Sequence, residues 1–242
     1  MRGWWREITG LVLPVACGGC GRPRTELCAE CGAQLHGGVP RRVRPDPEPA
    51  GLPPVHAAAG YENAVRAMLL AHKERGVLGL AGALGKALAG AVRAGAGSPS
   101  GPGPLLLVPV PSSRRAVAAR GHDPTRRIAL AAAAELRRAG TPARVAAVLR
   151  QRRAVADQSG LGAGARRANL AGALEVVAGG GRLLAAGRVV LVDDLLTTGA
   201  SLAEAARAID GSAGPYGTGS GVRQAAVVAV SPSAFEINRN WK

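Results

Sequence analysis

The sequence predicts an α/β domain built on a mostly parallel sheet flanked by helices, with a small cysteine-bearing module ahead of it. From residue 61 onward, short apolar runs alternate with Ala- and Leu-rich stretches of helical periodicity, the pattern of strand–helix–strand units. All four cysteines fall between residues 17 and 31, before that alternation begins. A chain of 242 residues can bury one sizeable core and carry one appendage.

Apolar runs that end at polar or turn-forming residues predict the strands. They cover residues 105–110, 144–149, 173–177, 188–193 and 224–230. Stripes of apolar residues spaced three or four apart predict helices between them, because such a stripe can pack on a sheet. The predicted helices cover residues 61–75, 78–92, 125–139 and 202–209.

Changes in composition predict the domain boundaries. Trp4, Trp5 and Ile8 recur at helical spacing and predict a short amphipathic helix that docks on the protein, or less favourably on a membrane surface. Residues 37–54 are dense in proline and arginine, which predicts a semi-extended linker rather than a packed element. We therefore divide the chain into an N-terminal helix and cysteine ribbon (1–36), a linker (37–54), an α/β domain (55–232) and a tail (233–242).

The charge balance is strongly basic, with 31 lysines and arginines against 16 acids and a formal net charge of +15. This excess favours anionic partners such as polyphosphates, nucleic acid or anionic surfaces, although a GC-rich codon bias would also enrich arginine. No apolar segment reaches the length that crosses a bilayer, so no membrane span is expected. The N-terminal apolar run is short and broken by Pro14, so we expect a cytoplasmic protein without a secretory signal.

The cysteines form two Cys-x-x-Cys pairs, and their spacing is typical of a structural zinc ribbon. The four candidate ligands are Cys17, Cys20, Cys28 and Cys31. Glycines around each pair permit tight knuckle turns, and four thiolates complete a closed tetrahedral shell, so His36 is interpreted as a loop residue. Two disulfides or a redox dithiol are the competing interpretations, and a reducing cytosol disfavours the first.

Residues 189–201 join an apolar strand, two adjacent carboxylates, a short hydroxyl-rich loop and the start of a helix. The helix start suits a phosphate, because its amide groups are unpaired and carry the positive end of the helix dipole. Asp193 and Asp194 would repel that phosphate, so they are expected to hold vicinal hydroxyls of a sugar in the same ligand. The phosphate loop would comprise Leu195, Leu196, Thr197, Thr198, Gly199, Ala200 and Ser201. An ordinary strand–turn–helix with an acidic turn is the plainer alternative.

Several hydroxyls and arginines are candidate contacts to a pyrophosphate. They are Ser112, Arg114, Arg115, Arg120, Arg150 and Arg167. The first three follow the strand at 105–110, and the last two belong to a Gly- and Arg-rich stretch (150–169) that could close over the ligand. A solvated charged loop is an equally good interpretation of that stretch. His122 is either a general acid or base or a neighbour of a helix cap.

The run at 189–201 resembles the signature of type I phosphoribosyltransferases. Together with the cysteine ribbon, Val-Pro-Val-Pro at 108–111, Arg120-Gly121 and Gln158, it makes the chain similar to the competence protein F (ComF) family. The resemblance implies a zinc ribbon joined to a phosphoribosyltransferase-type fold, in which the acidic pair holds the ribose hydroxyls of phosphoribosyl pyrophosphate (PRPP). Residues 122–124 are His-Asp-Pro, where that family commonly has Phe-Asn-Gln.

The resemblance implies two functions from different classes. One is a PRPP-binding protein linked to DNA uptake in natural transformation, which would handle single-stranded DNA alongside a competence helicase. The other is an active phosphoribosyltransferase of nucleotide metabolism or salvage, with Mg²⁺ neutralising the pyrophosphate and a nitrogen nucleophile as acceptor. Asp193 and Asp194 would then be the catalytic residues, stabilising the cation-like ribose of the transition state. The sequence leaves open whether catalysis is retained.

Overall fold

The computed structural model describes residues 15–96, 103–153, 163–212 and 222–232. Its strands are β1 (Arg41–Val43), β2 (Val55–Gly60), β3 (Leu105–Pro109), β4 (Ala143–Val145), β5 (Leu149–Gln151), β6 (Leu174–Val176), β7 (Arg188–Leu196) and β8 (Gln224–Val230). Its helices are α1 (Ala29–His36), α2 (Asn63–Glu74), α3 (Ala81–Ala96), α4 (Arg114–Arg120), α5 (Pro124–Arg138), α6 (Ala163–Leu170), α7 (Gly180–Leu184) and α8 (Ala200–Asp210), with a 3₁₀ turn at Leu78–Leu80.

Six strands form the main sheet in the order β1-β2-β8-β7-β3-β4. Every neighbouring pair runs parallel except β1 and β2, which are antiparallel. Helices pack on both faces of this sheet, which confirms the predicted class of a mostly parallel sheet flanked by helices. Strands β5 and β6 form a separate antiparallel pair.

Alternating residues of β3 divide the interior into two cores. Leu105 and Leu107 face a core that includes α2, α3 and α5. Leu106 and Val108 face the opposite core, which includes α8 and the small sheet. Because buried parallel strands are covered on both faces, their apolar runs are continuous rather than alternating, and this made β3, β7 and β8 visible in the sequence.

The strand predicted at 144–149 is wrong as a single element. Residues Ala143–Val145 pair with β3, whereas Leu149–Gln151 pairs with β6 in the small sheet. Between them the Val148 amide donates to the Ala146 carbonyl at 2.9 Å, and this tight turn redirects the chain. The predicted strand at 173–177 is real, but it belongs to the small sheet too.

The segment predicted as a linker is packed against the domain. It contributes β1 to the edge of the main sheet, and Val43 and Leu52 pack on the core beside α8. Leu52 and Pro45 also lie against Gly199, since a Cβ there would sit 3.1 and 3.2 Å from their side-chain carbons. Residues 44–52 therefore cover the loop that follows β7.

Some sequence predictions lie outside the described residues. These are the amphipathic helix with Trp4 and Trp5, the loop centre with Gln158, and the tail at 233–242. Within the described ranges, no helix combines the length and apolar character that crossing a membrane would require.

Candidate functional site

The chain crosses the sheet in two directions from a point between β3 and β7. After β3 it returns through α5 on one face to β4, and after β7 it returns through α8 on the other face to β8. Such a topological switch point leaves a crevice at the carboxyl ends of the two strands, where ligands bind in open α/β sheets. The acidic pair and Ser112 both lie at this edge.

The acidic pair lies inside β7 rather than at its end. The Val110 amide donates to the Val192 carbonyl at 2.9 Å, and β3 goes no further. Strand β7 continues because β8 still pairs with it, with Asp193 opposite Val227 and Leu196 opposite Val230. The prediction that the strand stops at the carboxylates is therefore wrong by three residues, and Leu195 and Leu196 are strand residues rather than loop residues.

A lysine from a distant helix binds the second carboxylate. The Lys73 Nζ donates to Asp194 Oδ2 at 2.8 Å, and Asp194 is only 5% exposed. Asp193 is half-buried, and its Oδ1 accepts a hydrogen bond from the backbone amide of Asp194 at 2.8 Å. The two carboxylates therefore have different partners.

This difference separates the two pKa values. Burial and the neighbouring Asp194 charge raise the pKa of Asp193 well above its ordinary value. Burial also opposes ionisation of Asp194, but the Lys73 ammonium outweighs it and lowers the pKa of that carboxyl. In return, the charge of Asp194 raises the pKa of Lys73. Asp194 is thus held as a carboxylate, whereas Asp193 ionises reluctantly.

The loop after β7 ends in a helix start, where the Ala200 amide donates to Thr198 Oγ1 at 3.5 Å. Gly199 has a φ of 74°, a left-handed conformation that suits glycine, and α8 begins at the next residue. Among the described residues no side chain caps α8 from its N-cap position. Thr197, Thr198 and Ser201 are half-buried around this start, and the helix begins two residues earlier than predicted.

The predicted pyrophosphate contacts after β3 are partly engaged elsewhere. Ser112 is half-buried, and Arg114 and Arg115 are exposed on α4, whose N-terminus is capped by the neighbouring Ser113. Arg120 makes a bidentate ion pair with Glu74, at 3.0 and 2.9 Å. Arg120 would have to exchange this partner to reach a ligand.

The two remaining arginines lie on other elements. Arg150 is a residue of β5, and its Nε donates to Glu175 Oε1 on β6 at 2.7 Å, so it belongs to the small sheet rather than to a loop. Arg167 falls within α6, and its side chain lies outside the described part of the structure.

Two histidines, His72 and His122, contact backbone carbonyls near Lys73. His72 is fully buried, with its ring nitrogens 3.3 Å from the Val77 carbonyl and 3.4 Å from the Pro124 carbonyl. His122 lies between the carbonyls of Arg120, at 3.1 Å, and His72, at 3.3 Å. Each ring lies between two backbone carbonyls and, as a neutral imidazole, can donate to one of them, which favours a structural role for His122 over that of a general base.

Sequence reasoning missed Lys73 as a site residue because it lies 121 positions from Asp194 in the chain. One signal could have found it. Only three of the 31 basic residues are lysines, so a lysine near the end of a predicted helix is unusual in this composition. Compact ammonium groups suit a close ion pair with one carboxylate oxygen.

The cysteines form a separate candidate metal centre. The four Sγ atoms of Cys17, Cys20, Cys28 and Cys31 all lie within 4.8 Å of one another, and Cys20 and Cys28 are 3.6 Å apart. A tetrahedral zinc with bonds of about 2.3 Å needs sulfur–sulfur distances of about 3.8 Å, so the donor set fits a metal ion such as zinc. All four thiols are free in the described part of the chain, which disfavours the disulfide interpretation.

The second cysteine pair differs from the predicted knuckle. Cys28 is the N-cap of α1 and Cys31 lies in its first turn, so a helix start presents both thiols. The Cys28 amide donates to Cys17 Sγ at 3.4 Å and ties the two pairs together. His36 is the last residue of the same helix.

The carboxyl edge thus combines one firmly ionised carboxylate, a second carboxyl of raised pKa and a helix start without an N-cap side chain. These groups can bind hydroxyls and an anion together. No protein-family model matches the chain, and no curated protein matches it. The function is therefore inferred from the residues of the site.

Proposed function

We propose that the carboxyl edge of the sheet binds PRPP, in a ComF-like protein with a phosphoribosyltransferase-type domain. One observation carries this proposal: two carboxyl groups and a helix N-terminus without an N-cap side chain follow one another on β7 and α8, at the topological switch point. Carboxylates accept hydrogen bonds from hydroxyls, whereas helix starts attract phosphates. A ligand that satisfies both must carry vicinal hydroxyls and a phosphate within a few ångströms, as ribose 5-phosphate does.

The Lys73–Asp194 pair supports the sugar-binding role. An ionised carboxylate offers about four lone-pair positions, and the Lys73 ammonium takes one of them. The Leu195 amide and the Asp193 side chain also hydrogen-bond to Asp194. The positions that are left would accept ribose hydroxyls, and Asp193 adds its second oxygen. Because Lys73 keeps Asp194 charged, these hydrogen bonds would be charge-assisted and strong.

The loop and the first turn of α8 would hold the 5-phosphate. Backbone amides there point along the helix axis, and Thr197, Thr198 and Ser201 add hydroxyl donors. Mg²⁺ would accompany the ligand and neutralise its pyrophosphate. Ser112, Arg114 and Arg115 follow β3 across the crevice and are the candidate pyrophosphate contacts.

The exposed arginines also favour single-stranded DNA as a partner, in the DNA uptake role proposed for this ComF-like protein. Arg114, Arg115, Arg126 and Arg127 are all exposed on α4 and the first turn of α5, and the net charge of the chain is +15. Aromatic residues are only 2% of the sequence, so binding would depend on phosphate contacts rather than base stacking.

The second candidate function is phosphoribosyl transfer itself. As the bond from the ribose to pyrophosphate breaks, positive charge develops on the sugar, and Asp194 would stabilise it electrostatically. The burial of Asp194, at 5% exposure, is the observation that favours this role. At the cysteine centre we propose a structural zinc, because four protein ligands close the coordination shell.

Calorimetry with Mg²⁺ and PRPP tests the binding proposal. Asp194→Asn should weaken binding by about 30-fold or more, because two charge-assisted hydrogen bonds are lost. Asp210→Asn, at the exposed far end of α8, is the matched control and should bind like the unmodified protein. Equal affinity of the Asp194 variant and the unmodified protein would remove PRPP from this edge.

Two further assays separate the candidate functions. Pyrophosphate release from PRPP, measured with a panel of nitrogen bases and amines, is expected only for a transferase. Single-stranded DNA should bind with an affinity that falls about 50-fold between 0.05 and 0.2 M salt if four phosphates are contacted, from a slope of about −0.7 per contact. Failure to bind DNA at low salt would eliminate the DNA-handling role.

A further inference from the structure

The helix that carries Lys73 is capped by residues 15–36, the cysteine module, which contains the four cysteines and α1. The Ala64 amide, in the first turn of α2, donates to Gln34 Oε1 of α1 at 3.3 Å. Within the described ranges, the N-cap residue of α2, Glu62, makes no side-chain cap of its own. The amides of a first helical turn need hydrogen-bond acceptors. Gln34, three residues after Cys31, therefore caps α2 in place of an N-cap side chain.

The two glycines between Cys17 and Cys20 contact the first turn of α2 and the 3₁₀ turn that follows this helix. A Cβ on Gly19 would lie 2.6 Å from Cys31 Sγ and 3.0 Å from the Ala64 Cβ, so this glycine is wedged between the cluster and α2. A Cβ on Gly18 would lie 2.5 Å from Leu80 Cδ1, in the 3₁₀ turn that follows α2. Leu80 is 1% exposed, so this contact is part of the core.

The opposite end of α2 delivers the lysine to the candidate site. Lys73 is the penultimate residue of this 12-residue helix, which is about 18 Å long. The ring of His72 fixes the same turn between the carbonyls of Val77 and Pro124. A helix held at its start and in the turn beyond its end transmits a shift at one end to the other.

We propose that the cysteine module positions Lys73 against Asp194, so that metal binding at the four cysteines and the Lys73–Asp194 ion pair are coupled through α2. Gln34 is the positioning residue in this coupling. By thermodynamic reciprocity, whatever strengthens the ion pair also strengthens metal retention, and the converse holds. The coupling goes beyond the proposed function, because it does not depend on which ligand the acidic pair binds.

Lysine reactivity tests the coupling on the zinc-loaded full chain. Trace acetylation with acetic anhydride, read by peptide mass spectrometry, compares Lys73 with Lys86, an exposed lysine on α3 that serves as an internal reference. Gln34→Ala should raise the acetylation rate of Lys73 by about threefold or more and leave Lys86 unchanged. Gln34→Glu should keep the slow rate, because a carboxylate also accepts the Ala64 amide. Zinc removal with a chelator should raise the Lys73 rate at least as much as Gln34→Ala does.

Each other outcome contradicts the coupling. An unchanged Lys73 rate in Gln34→Ala would show that the module does not position the lysine. An equal rise at Lys73 and Lys86 would show general loosening of the chain instead. PRPP titrations of the same variants are read separately: failure of PRPP to bind, with the expected change at Lys73, would reject the proposed function and leave the coupling intact.

Discussion

Lys73 and Asp194 are 121 positions apart in the chain, and the lysine Nζ lies 2.8 Å from Asp194 Oδ2. The lysine side chain is 35% exposed, whereas that of the aspartate is 7% exposed. The carboxylate therefore depends on the lysine for its charge much more than the lysine depends on the carboxylate.

Lys73→Met should destabilise the protein at pH 7 by about 2 kcal/mol, because it leaves Asp194 buried without a counter-charge. The figure is below that of a fully buried pair, since Lys73 is 35% exposed. The pKa of Asp194 is lowered in the folded protein, so its stabilisation is present above the ordinary aspartate pKa of about 3.9 and is lost as the pH falls. Urea unfolding from pH 3 to 7 measures this. Purely additive effects of Lys73→Met and Asp194→Asn in a double-mutant cycle would contradict the pairing.

Asp193→Asn should stabilise the protein while weakening PRPP binding. Burial and the charge of Asp194 raise the pKa of Asp193. This carboxyl therefore does not affect stability below about pH 3.9, and it destabilises the folded protein as the pH rises through its folded-state pKa. An asparagine keeps the acceptor for the Asp194 amide and carries no charge. We expect a gain of about 1 kcal/mol at pH 7, or roughly 2–4 °C in melting temperature. The gain should disappear at pH 3, and a loss of stability at pH 7 would contradict this account of Asp193.

Gly199→Ala should cost more stability than Gly121→Ala, although both glycines have nearly the same φ, 74° and 73°. Both substitutions carry the left-handed penalty of about 1–2 kcal/mol. At Gly199 the new Cβ also presses on Leu52 and Pro45, whereas at Gly121 it meets open space among the described residues. Chemical unfolding should show the backbone penalty and the cost of the contact with Leu52 and Pro45 in Gly199→Ala, and only the backbone penalty in Gly121→Ala. PRPP calorimetry compares the same two variants. Equal unfolding free energies would show that residues 44–52 do not press on this loop.

Glu74→Gln should raise the affinity for PRPP by about twofold to fivefold, because it releases Arg120 from its ion pair to bind phosphate. Glu135→Gln is the matched control, since it removes the same charge from the Arg138 pair on α5. Calorimetry at fixed salt compares the two. An equal change in both variants would attribute the effect to net charge and would withdraw Arg120 as a contact.

Cys31→Ser should abolish metal binding and lower the melting temperature, since Cys31 is 3% exposed in the cluster and in contact with the module's core. Metal analysis of the reduced protein should give about one zinc per unmodified chain. His36→Ala should retain that zinc, because four thiols already complete the shell. Full zinc content in Cys31→Ser would show that the metal is held elsewhere.

The sheet was predictable from sequence where its strands are buried on both faces. β3, β7 and β8 are apolar runs, and the stripes of α2 and α5 follow their helical period. β1 and β2 were missed because prolines precede both of them and Ala57, Ala58 and Ala59 have weak strand propensity. Those two strands owe their conformation to tertiary pairing with β8 and with each other.

The site was predictable only where its parts are consecutive in the chain. Asp193, Asp194 and Gly199 stand within seven residues, and local order was enough to group them. Lys73, Glu74 and Pro45 reach the same edge through the path of the whole fold, which no local pattern encodes. Likewise, no spacing rule showed that Glu74 would engage Arg120.

The order of strands across the main sheet has a consequence for biosynthesis. Strand β8 lies between β2 and β7 in the sheet. The ribosome therefore synthesises β1 and β2 more than 160 residues before β8, the strand that pairs with β2. In the meantime the growing chain exposes an unsatisfied edge of β2, where nascent chains can pair wrongly. Translation arrested before residue 224 would leave β2 and β7 as two open edges, and such fragments should be insoluble or bound to chaperones.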